Sequence, residues 1–454
     1  MSETRKYTVR IVDLAYGGEG VARPSDRPVI FVAGALPGEE VRIRPYQRKK
    51  NYWRAELVDI LEASPHRVDP PCPVYENCGG CQLQHLEYPY QLEGKEGMIE
   101  DALTRIGGLE TVPEFEVRGM EFPWYYRNKG QFPLGIREGE EGDELIWPGF
   151  YRKGSHELVF FEECMIQHQP INRLLNETAL RLNDHPVKPY DEDNHRGNLR
   201  HLVLRGSLCT SQLQLAFVTR KRELSGLDQI AAGLQENIQG LWSVYHNINP
   251  EKTNVILGEE SHLLAGEKFI TEYIGQKRYL IHPDSFFQVN TEQAHKLFEI
   301  ISGFVGRYRP ERIIDAYCGA GTIAIYLSDS AESIVGIEEV PQAVLAASKN
   351  ARLNDCQNEV EFVQGRVEDV LPAMSLEDSL LVVDPPRKGL DEECMESLVQ
   401  GGPEAIIYVS CQPNTLARDI SRLEDDYMLV DLEAVDMFPQ TYHVETAALL
   451  EKRN

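Results

Sequence analysis

The stretch IIDAYCGAGTIAIYL, residues 313–327, decides the fold. It opens as an apolar run closing on an acid, Asp315, turns through glycines 319 and 321, and continues as an apolar helical pattern. A strand that feeds a glycine turn and then a helix lets a ligand approach the backbone closely and meet free N–H groups at the helix start. Downstream, SIVGIE ends in Glu338, 23 residues after Asp315, where a carboxylate is placed to accept hydrogen bonds from ribose hydroxyls. VEFVQG, SLLVVD and AIIYVS continue the series, each an apolar run set off by a helical stretch. Strands apolar on both faces and joined by helical crossovers make an open, mainly parallel α/β sheet. A Rossmann-like domain is therefore expected over residues 271–454.

The rest of the 454-residue chain is long enough for two further domains. Residues 1–62 alternate short apolar strands (TVRIVDL, PVIFVAGAL, EEVRIRP, WRAELVDIL) with turns such as YGGEG and LPGE, the pattern of a small SH3-like or OB-like β-barrel. Residues 63–270 begin with the Pro-rich SPHRVDPPCPVY. They continue through a helical stretch at about 88–106, strand-like pieces (HELVFF, LRHLVLRG, LQLAFVT, WSVYHNI) and a helix at about 171–182, a mixed α/β pattern.

Composition excludes wholesale disorder, collagen and a coiled-coil rod: 42% of residues are hydrophobic and 26% charged. No apolar run approaches the roughly 20 residues that cross a bilayer. The N-terminus MSETRKYTVRIVDLAYGG carries charges where a signal peptide has its apolar core, so a cytoplasmic location is expected. Lys and Arg number 46 against 72 Asp and Glu, a net charge of −26 that opposes nucleic-acid binding overall. Distribution matters more than the total. Val41–Arg54, VRIRPYQRKKNYWR, holds six basic residues, three aromatics and no acid. Arg48, Lys49 and Lys50 suit phosphates, and Tyr46, Tyr52 or Trp53 suit bases; the same run also suits a strand edge protected from aggregation.

Three motifs follow the glycine turn. That turn is not the G-x-G-x-x-G that cradles a pyrophosphate; it resembles the D-x-x-x-G-x-G turn of S-adenosylmethionine methyltransferases more than a dehydrogenase turn. VVDPPRKG, 382–389, ends a strand in Asp384 and a rigid Pro-Pro loop at the ligand-binding edge of the sheet, resembling the N/D-P-P loops of base methyltransferases. IIYVSCQPNTLARD, 406–419, puts Cys411 just past a strand at the same edge, and MFPQTYHVETAALL, 437–450, puts His443 and Glu445 before a terminal strand. The chemistry that links them is methylation of a pyrimidine C5. A thiolate adds to C6, C5 becomes nucleophilic enough to take a methyl group from a sulfonium, and a base removes the C5 proton so that the thiol leaves. Cys411, Glu445, Asp384 and the Gly319–Gly321 turn supply the set.

FFQVN (286–290), DAYCGAGT, VVDPPRKG, VSCQPNTLARD and FPQTYHVETAALL resemble the RNA 5-methyluridine methyltransferases. In particular the chain is similar to bacterial 23S ribosomal RNA uracil-C5 methyltransferases with an N-terminal TRAM domain and an iron–sulfur cluster. The resemblance spans nearly the whole chain. It implies that Gln288, Tyr317, Gly319, Gly321, Glu338 and Asp384 line the S-adenosylmethionine and base site. It further implies that Cys411 is the nucleophile, that Glu445 is the proton acceptor, and that Phe286 lies near the target base. Thr322 stands where some members have Asn. The partner implied is 23S ribosomal RNA and the enzyme is expected to be a monomer. A transfer RNA substrate and a catalytically silent TRAM protein are the alternatives, the latter opposed by the intact Cys411, Glu445 and Asp384. A DNA cytosine-C5 methyltransferase is disfavoured, because Cys411 follows Ser and no Glu-Asn-Val occurs.

Eight of the nine cysteines remain to be placed. Cys72, Cys78 and Cys81 form C-x5-C-x2-C, and spacing alone leaves zinc and iron–sulfur open. With Cys164 of FEECMIQ they resemble the family's four [4Fe–4S] ligands. Cys209, Cys318, Cys356 and Cys394 are expected to be packing residues.

Overall fold

The computed structural model describes residues 5–139 and 142–453. Six strands between Tyr7 and Glu62 form one sheet. Alternation along Glu40–Arg48 sends Val41 and Ile43 into a core with Val9, Ile11, Ile30, Val32 and Ala55. Three register shifts against Tyr52–Glu62 bend the sheet around that core. The basic run is acid-free only along the chain. Antiparallel pairing sets Arg42 opposite Asp59 and Arg44 opposite Glu56, with ion pairs of 2.7 and 2.5 Å, and Arg54 reaches Glu19 at 3.3 Å. Half of the cations are therefore neutralised across the sheet. Arg48, Lys49 and Lys50, exposed at the hairpin end, take part in none of the ion pairs among the described residues; Arg48 instead lies over Trp53, 4.7 Å from its ring centre.

The middle of the chain builds a seven-stranded sheet. The expected strands appear at Leu158–Phe160, Leu199–Gly206, Leu213–Thr219 and Leu241–Ile248, and helices Gln169–Asn183 and Leu227–Asn237 share an apolar core with them. Two further strands, Lys129–Glu138 and Glu144–Tyr151, carry Gly130, Pro133, Gly135 and Pro148 inside them, residues that obscure a strand pattern in sequence.

The C-terminal sheet has eight strands. From one edge they run Val360–Gln364, Ser333–Glu338, Arg312–Ala316, Ser379–Val383, Ala405–Ser410, Glu445–Lys452, Tyr427–Val435 and Val117–Arg118. The first five are parallel, and Glu445–Lys452 is antiparallel to both its neighbours. Ile313, Leu380, Val382 and Ile407 bury one face; Ile314, Leu381, Val383 and Ile406 bury the other. Chain order reverses between Arg312–Ala316 and Ser379–Val383, which opens a crevice beyond their carboxyl ends.

The apolar core does not divide at residue 270. Ile99, Ala102 and Leu103 of helix Tyr88–Arg105, with Val117, lie in the core of the C-terminal sheet. Lys95 of that helix forms a fully buried 2.6 Å ion pair with Asp436, which also accepts from the Tyr88 hydroxyl at 2.9 Å. No helix among the described residues is long and apolar enough to cross a membrane.

Candidate active site

Strand register brings the expected nucleophile and base together. Ser410 pairs with Thr446 in the antiparallel ladder, so the next step of that register sets Cys411 opposite Glu445. Thr446 Oγ1 donates to the Ser410 carbonyl at 3.0 Å and pins this end of the ladder. Asp384 leaves the parallel neighbour strand just beyond Val383, which is paired with Tyr408. Pro385 and Pro386 then stiffen the loop that carries Arg387.

The electrostatics of this corner follow from crowding. Glu445 is 7% exposed, and burial, reinforced by the Asp384 charge and opposed by Arg387, holds its carboxyl well above the usual range. A lone glutamate at a strand start is ordinarily solvated; this one is not. Burial pushes Asp384 up to about 7, although the residue keeps some contact with solvent. Burial and then the Glu445 charge push the Cys411 thiol up to about 11, with Asp384 adding to the rise. Arg387 opposes them through its charge and a hydrogen bond that favours the thiolate. The corner thus holds a thiol, two carboxyl groups whose protons burial makes harder to lose, and one cation, Arg387, that favours the ionised forms of Cys411 and Glu445. His443, half-buried among Tyr442 and Phe438, is pushed down to about 4, mainly by burial, and is neutral at physiological pH.

The glycine turn lies at the carboxyl end of Arg312–Ala316. Tyr317 has φ 66°, a left-handed value that costs a non-glycine residue about 1–3 kcal/mol. Gly321 has φ 74°, and a Cβ there would lie 2.6 Å from the Phe362 ring, so both conformation and space demand glycine. Glu338 accepts from the Gly319 N–H at 3.0 Å and the Val340 N–H at 2.8 Å, which fixes its carboxylate beside the turn. Below it Asp315 is fully buried; one oxygen accepts from Ala324 N–H at 2.9 Å and the other has no partner among the described residues. Burial raises Asp315 to about 8, with Asp384 and Glu338 contributing. The FFQVN loop reaches the turn through Tyr279, whose hydroxyl donates to the Thr322 carbonyl at 3.0 Å and whose ring packs on Phe287. Gln288 is half-buried there, its carbonyl bonded to Asn128 Nδ2 at 2.9 Å, while Phe286 is 68% exposed. Arg48 ends a strand of the N-terminal sheet, Lys49 and Lys50 lie in the turn after it, and none of the three is part of this corner.

Cys72, Cys78, Cys81 and Cys164 line one cavity of about 370 Å³, although Cys164 is more than 80 residues away in sequence. Tight turns bring the first three round: the Tyr75 N–H donates to the Cys72 carbonyl and the Cys78 N–H to that of Val74. The buried Asn172 side chain clamps Cys164, bonding its N–H and its carbonyl, both at 3.0 Å. Burial raises all four thiols, and neighbouring thiols add to the rise at Cys78, Cys81 and Cys164. Among the described residues no three Cys, His, Asp or Glu side chains stand close enough to share a single metal ion. Arg387 and His443 form part of the same cavity wall, so it adjoins the Cys411 corner.

A family model described as tRNA (Uracil-5-)-methyltransferase matches residues 262–453, and a TRAM domain model matches residues 3–58. An uncharacterized RNA methyltransferase of Halalkalibacterium halodurans is 40% identical over 450 residues, covering 98% of this chain and 97% of its own. The chain belongs to the uracil-C5 RNA methyltransferase family. Another RNA methyltransferase, from Gloeobacter violaceus, is 41% identical over 446 residues, 98% of this chain and 96% of that one. Among solved structures, the Pyrococcus abyssi tRNA (uracil-54, C5)-methyltransferase in complex with S-adenosyl-L-homocysteine has a TM-score of 0.77 at 29% identity. It covers 98% of this chain and 100% of its own. The protein is thus an S-adenosylmethionine-dependent uracil-C5 RNA methyltransferase with an N-terminal TRAM domain and a C-terminal methyltransferase domain. Its full-length architecture is shared with an enzyme named for transfer RNA, so domain content does not separate the two RNA substrates.

Sequence reasoning missed Arg387, the cation that faces both Cys411 and the cysteine cavity. Its signal in the sequence was its place alone, directly after Pro385–Pro386 in the loop that carries Asp384. The expectation of a packed Cys209 is corrected. It is exposed, in the loop between Leu199–Gly206 and Leu213–Thr219. Cys318, Cys356 and Cys394 are buried as expected.

Proposed function

We propose that this methyltransferase modifies C5 of a uridine in 23S ribosomal RNA through a covalent bond between Cys411 and C6, working as a cytoplasmic monomer. The observation that carries the reading is the register that sets Cys411 opposite a buried Glu445. Arg387 lowers the cost of forming the Cys411 thiolate, which adds to C6 and leaves C5 as an enolate-type nucleophile. S-adenosylmethionine supplies an electrophilic methyl group on a sulfonium, with Gln288, Tyr317, Gly319, Gly321, Glu338 and Asp384 as its cradle. Once C5 carries the methyl group, Glu445 takes the C5 proton, the C6–S bond breaks and the thiolate leaves. Asp384 hydrogen-bonds the base edge, Phe286 offers an exposed ring for stacking, and Arg48, Lys49 and Lys50 hold phosphates.

Cys72, Cys78, Cys81 and Cys164 are proposed as ligands of a [4Fe–4S] cluster. Four thiols around one cavity match the four thiolates that such a cluster takes, and the family resemblance, rather than the cysteine spacing, favours it over zinc. Bound there, a cluster would tie the Cys72–Cys81 segment to Cys164 beside the catalytic loop.

Transfer RNA is the second reading, favoured by the archaeal structure. Deproteinised 23S ribosomal RNA and transfer RNA, offered separately with labelled methyl donor, decide between them. The mechanism is tested with 5-fluorouridine-substituted RNA, whose fluorine blocks elimination. The parent enzyme should be trapped on it as a covalent complex, and Cys411→Ala should neither trap nor methylate. Methylation by Cys411→Ala would overturn the mechanism.

A further inference from the structure

TRAM domains are read as RNA-contacting modules, yet one side chain of this one reaches the nucleophile's own loop. Tyr16 sits in the turn between strands Asp13–Leu14 and Glu19–Ala22. The turn is closed by Ala15 N–H to the Glu19 carbonyl at 2.8 Å and Gly18 N–H to the Ala15 carbonyl at 2.9 Å. Gly17 and Gly18 adopt φ 123° and 74°, which glycine takes without a steric penalty. The turn is seated tightly, since a Cβ on Gly18 would lie 3.1 Å from that of Gln82. From it the Tyr16 ring packs edge-on against Tyr442, centroids 5.1 Å apart, and His443, 6.5 Å apart.

The Tyr16 hydroxyl donates to Gln412 Oε1 at 2.7 Å and lies 3.2 Å from the Cys411 carbonyl oxygen. A phenol has one proton, so these two acceptors share it. Among the described residues no other group hydrogen-bonds to the Cys411 carbonyl. The N–H of the same peptide unit is tied separately: Gln412 N–H donates to Ser410 Oγ at 3.1 Å. The backbone of the nucleophile is therefore held on its inner side by its own strand and on its carbonyl side by another domain.

We propose that Tyr16 is a positioning residue for Cys411, so that the TRAM domain acts on the chemical step as well as on RNA affinity. This rests on the covalent role of Cys411 proposed above. Burial keeps the phenol protonated far above neutral pH, so its donor is present throughout the working range.

The test is single-turnover adduct formation on 5-fluorouridine RNA at saturating RNA and methyl donor. Tyr16→Phe keeps the ring and its packing and removes only the hydroxyl. It should slow adduct formation about 5- to 10-fold, the worth of one hydrogen bond, with RNA and S-adenosylmethionine dissociation constants and melting temperature unchanged. Gln412→Ala leaves the phenol free to donate to the Cys411 carbonyl alone and should slow adduct formation less than Tyr16→Phe does, and the double variant should be no slower than Tyr16→Phe, which already removes both contacts. A parent-like adduct rate in Tyr16→Phe overturns the inference. So does weakened RNA binding with an unchanged saturating rate, which would make Tyr16 an RNA contact, and so does full additivity in the double variant. If the parent itself forms no adduct, the covalent mechanism fails instead, an outcome distinct from these.

Discussion

The catalytic corner and the TRAM hairpin are both built from charged side chains on neighbouring strands, and they use charge in opposite ways. In the hairpin, Arg42–Asp59 and Arg44–Glu56 face each other in the open, with 43–54% of each side chain exposed. Water and salt screen such pairs, and each is worth about 0.2–1 kcal/mol. In the corner, Asp384, Glu445 and Cys411 gather at one sheet edge, and desolvation moves every acid upward, with Arg387 opposing the rise of Glu445 and Cys411. Enclosure, rather than the number of charges, decides whether they carry chemistry or only keep a surface in solution.

The sharpest contrast should come from Glu445→Gln. This variant should still add to C6 and methylate C5, then stall as a covalent RNA adduct, with turnover down at least about 100-fold, the scale of a general-base contribution. Denaturing gels would show the adduct with ordinary RNA. Free turnover would assign the proton to His443 or water and reduce Glu445 to a buried bystander.

A second buried charge tests the same rule on stability. Lys95→Met leaves Asp436 enclosed without its cation and should cost about 3–5 kcal/mol in denaturant unfolding. Arg44→Ala, which breaks an exposed pair, should cost no more than about 1 kcal/mol in the same assay. Comparable losses would erase the distinction between the two regions.

pH separates the regions as well. Asp315 and Asp384, raised to about 8 and about 7, bind protons in the folded chain that the unfolded chain has released. Their contribution to stability is complete below about pH 4 and is lost as pH rises through those values. The ligand-free protein should therefore melt lower at pH 9 than at pH 6, and Asp315→Asn should flatten that slope. An unchanged slope in the variant would show that Asp315 is ionised in the fold.

The smallest effect is expected at the hairpin end. Replacing Arg48, Lys49 and Lys50 with Ala should lower the salt slope of RNA binding by about 2, roughly 0.7 per lost phosphate contact. The saturating adduct rate should be untouched. An unchanged slope would move the electrostatic contact elsewhere in the molecule.

Much of this molecule is legible along the chain. Buried parallel strands need continuous apolar runs, so RIIDAY, SIVGIE, VEFVQG, SLLVVD and AIIYVS appear within a residue of where they were expected. The glycine turn is legible because backbone geometry at Gly321 tolerates no other residue, and Cys411, Asp384 and Glu445 are legible because each ends or begins a strand at one sheet edge. These are local constraints, and local constraints are written locally. What pairs with what is not. Only the register of the last ladder sets Cys411 against Glu445, and only the fold brings Cys164 to the other three cysteines. Strand pairing also hides acids opposite a run that is purely basic in sequence, and it is the packed tertiary structure that puts Tyr16, almost 400 residues upstream, on the Cys411 carbonyl. Such contacts depend on distances between distant segments, which are set by the burial of the core as a whole.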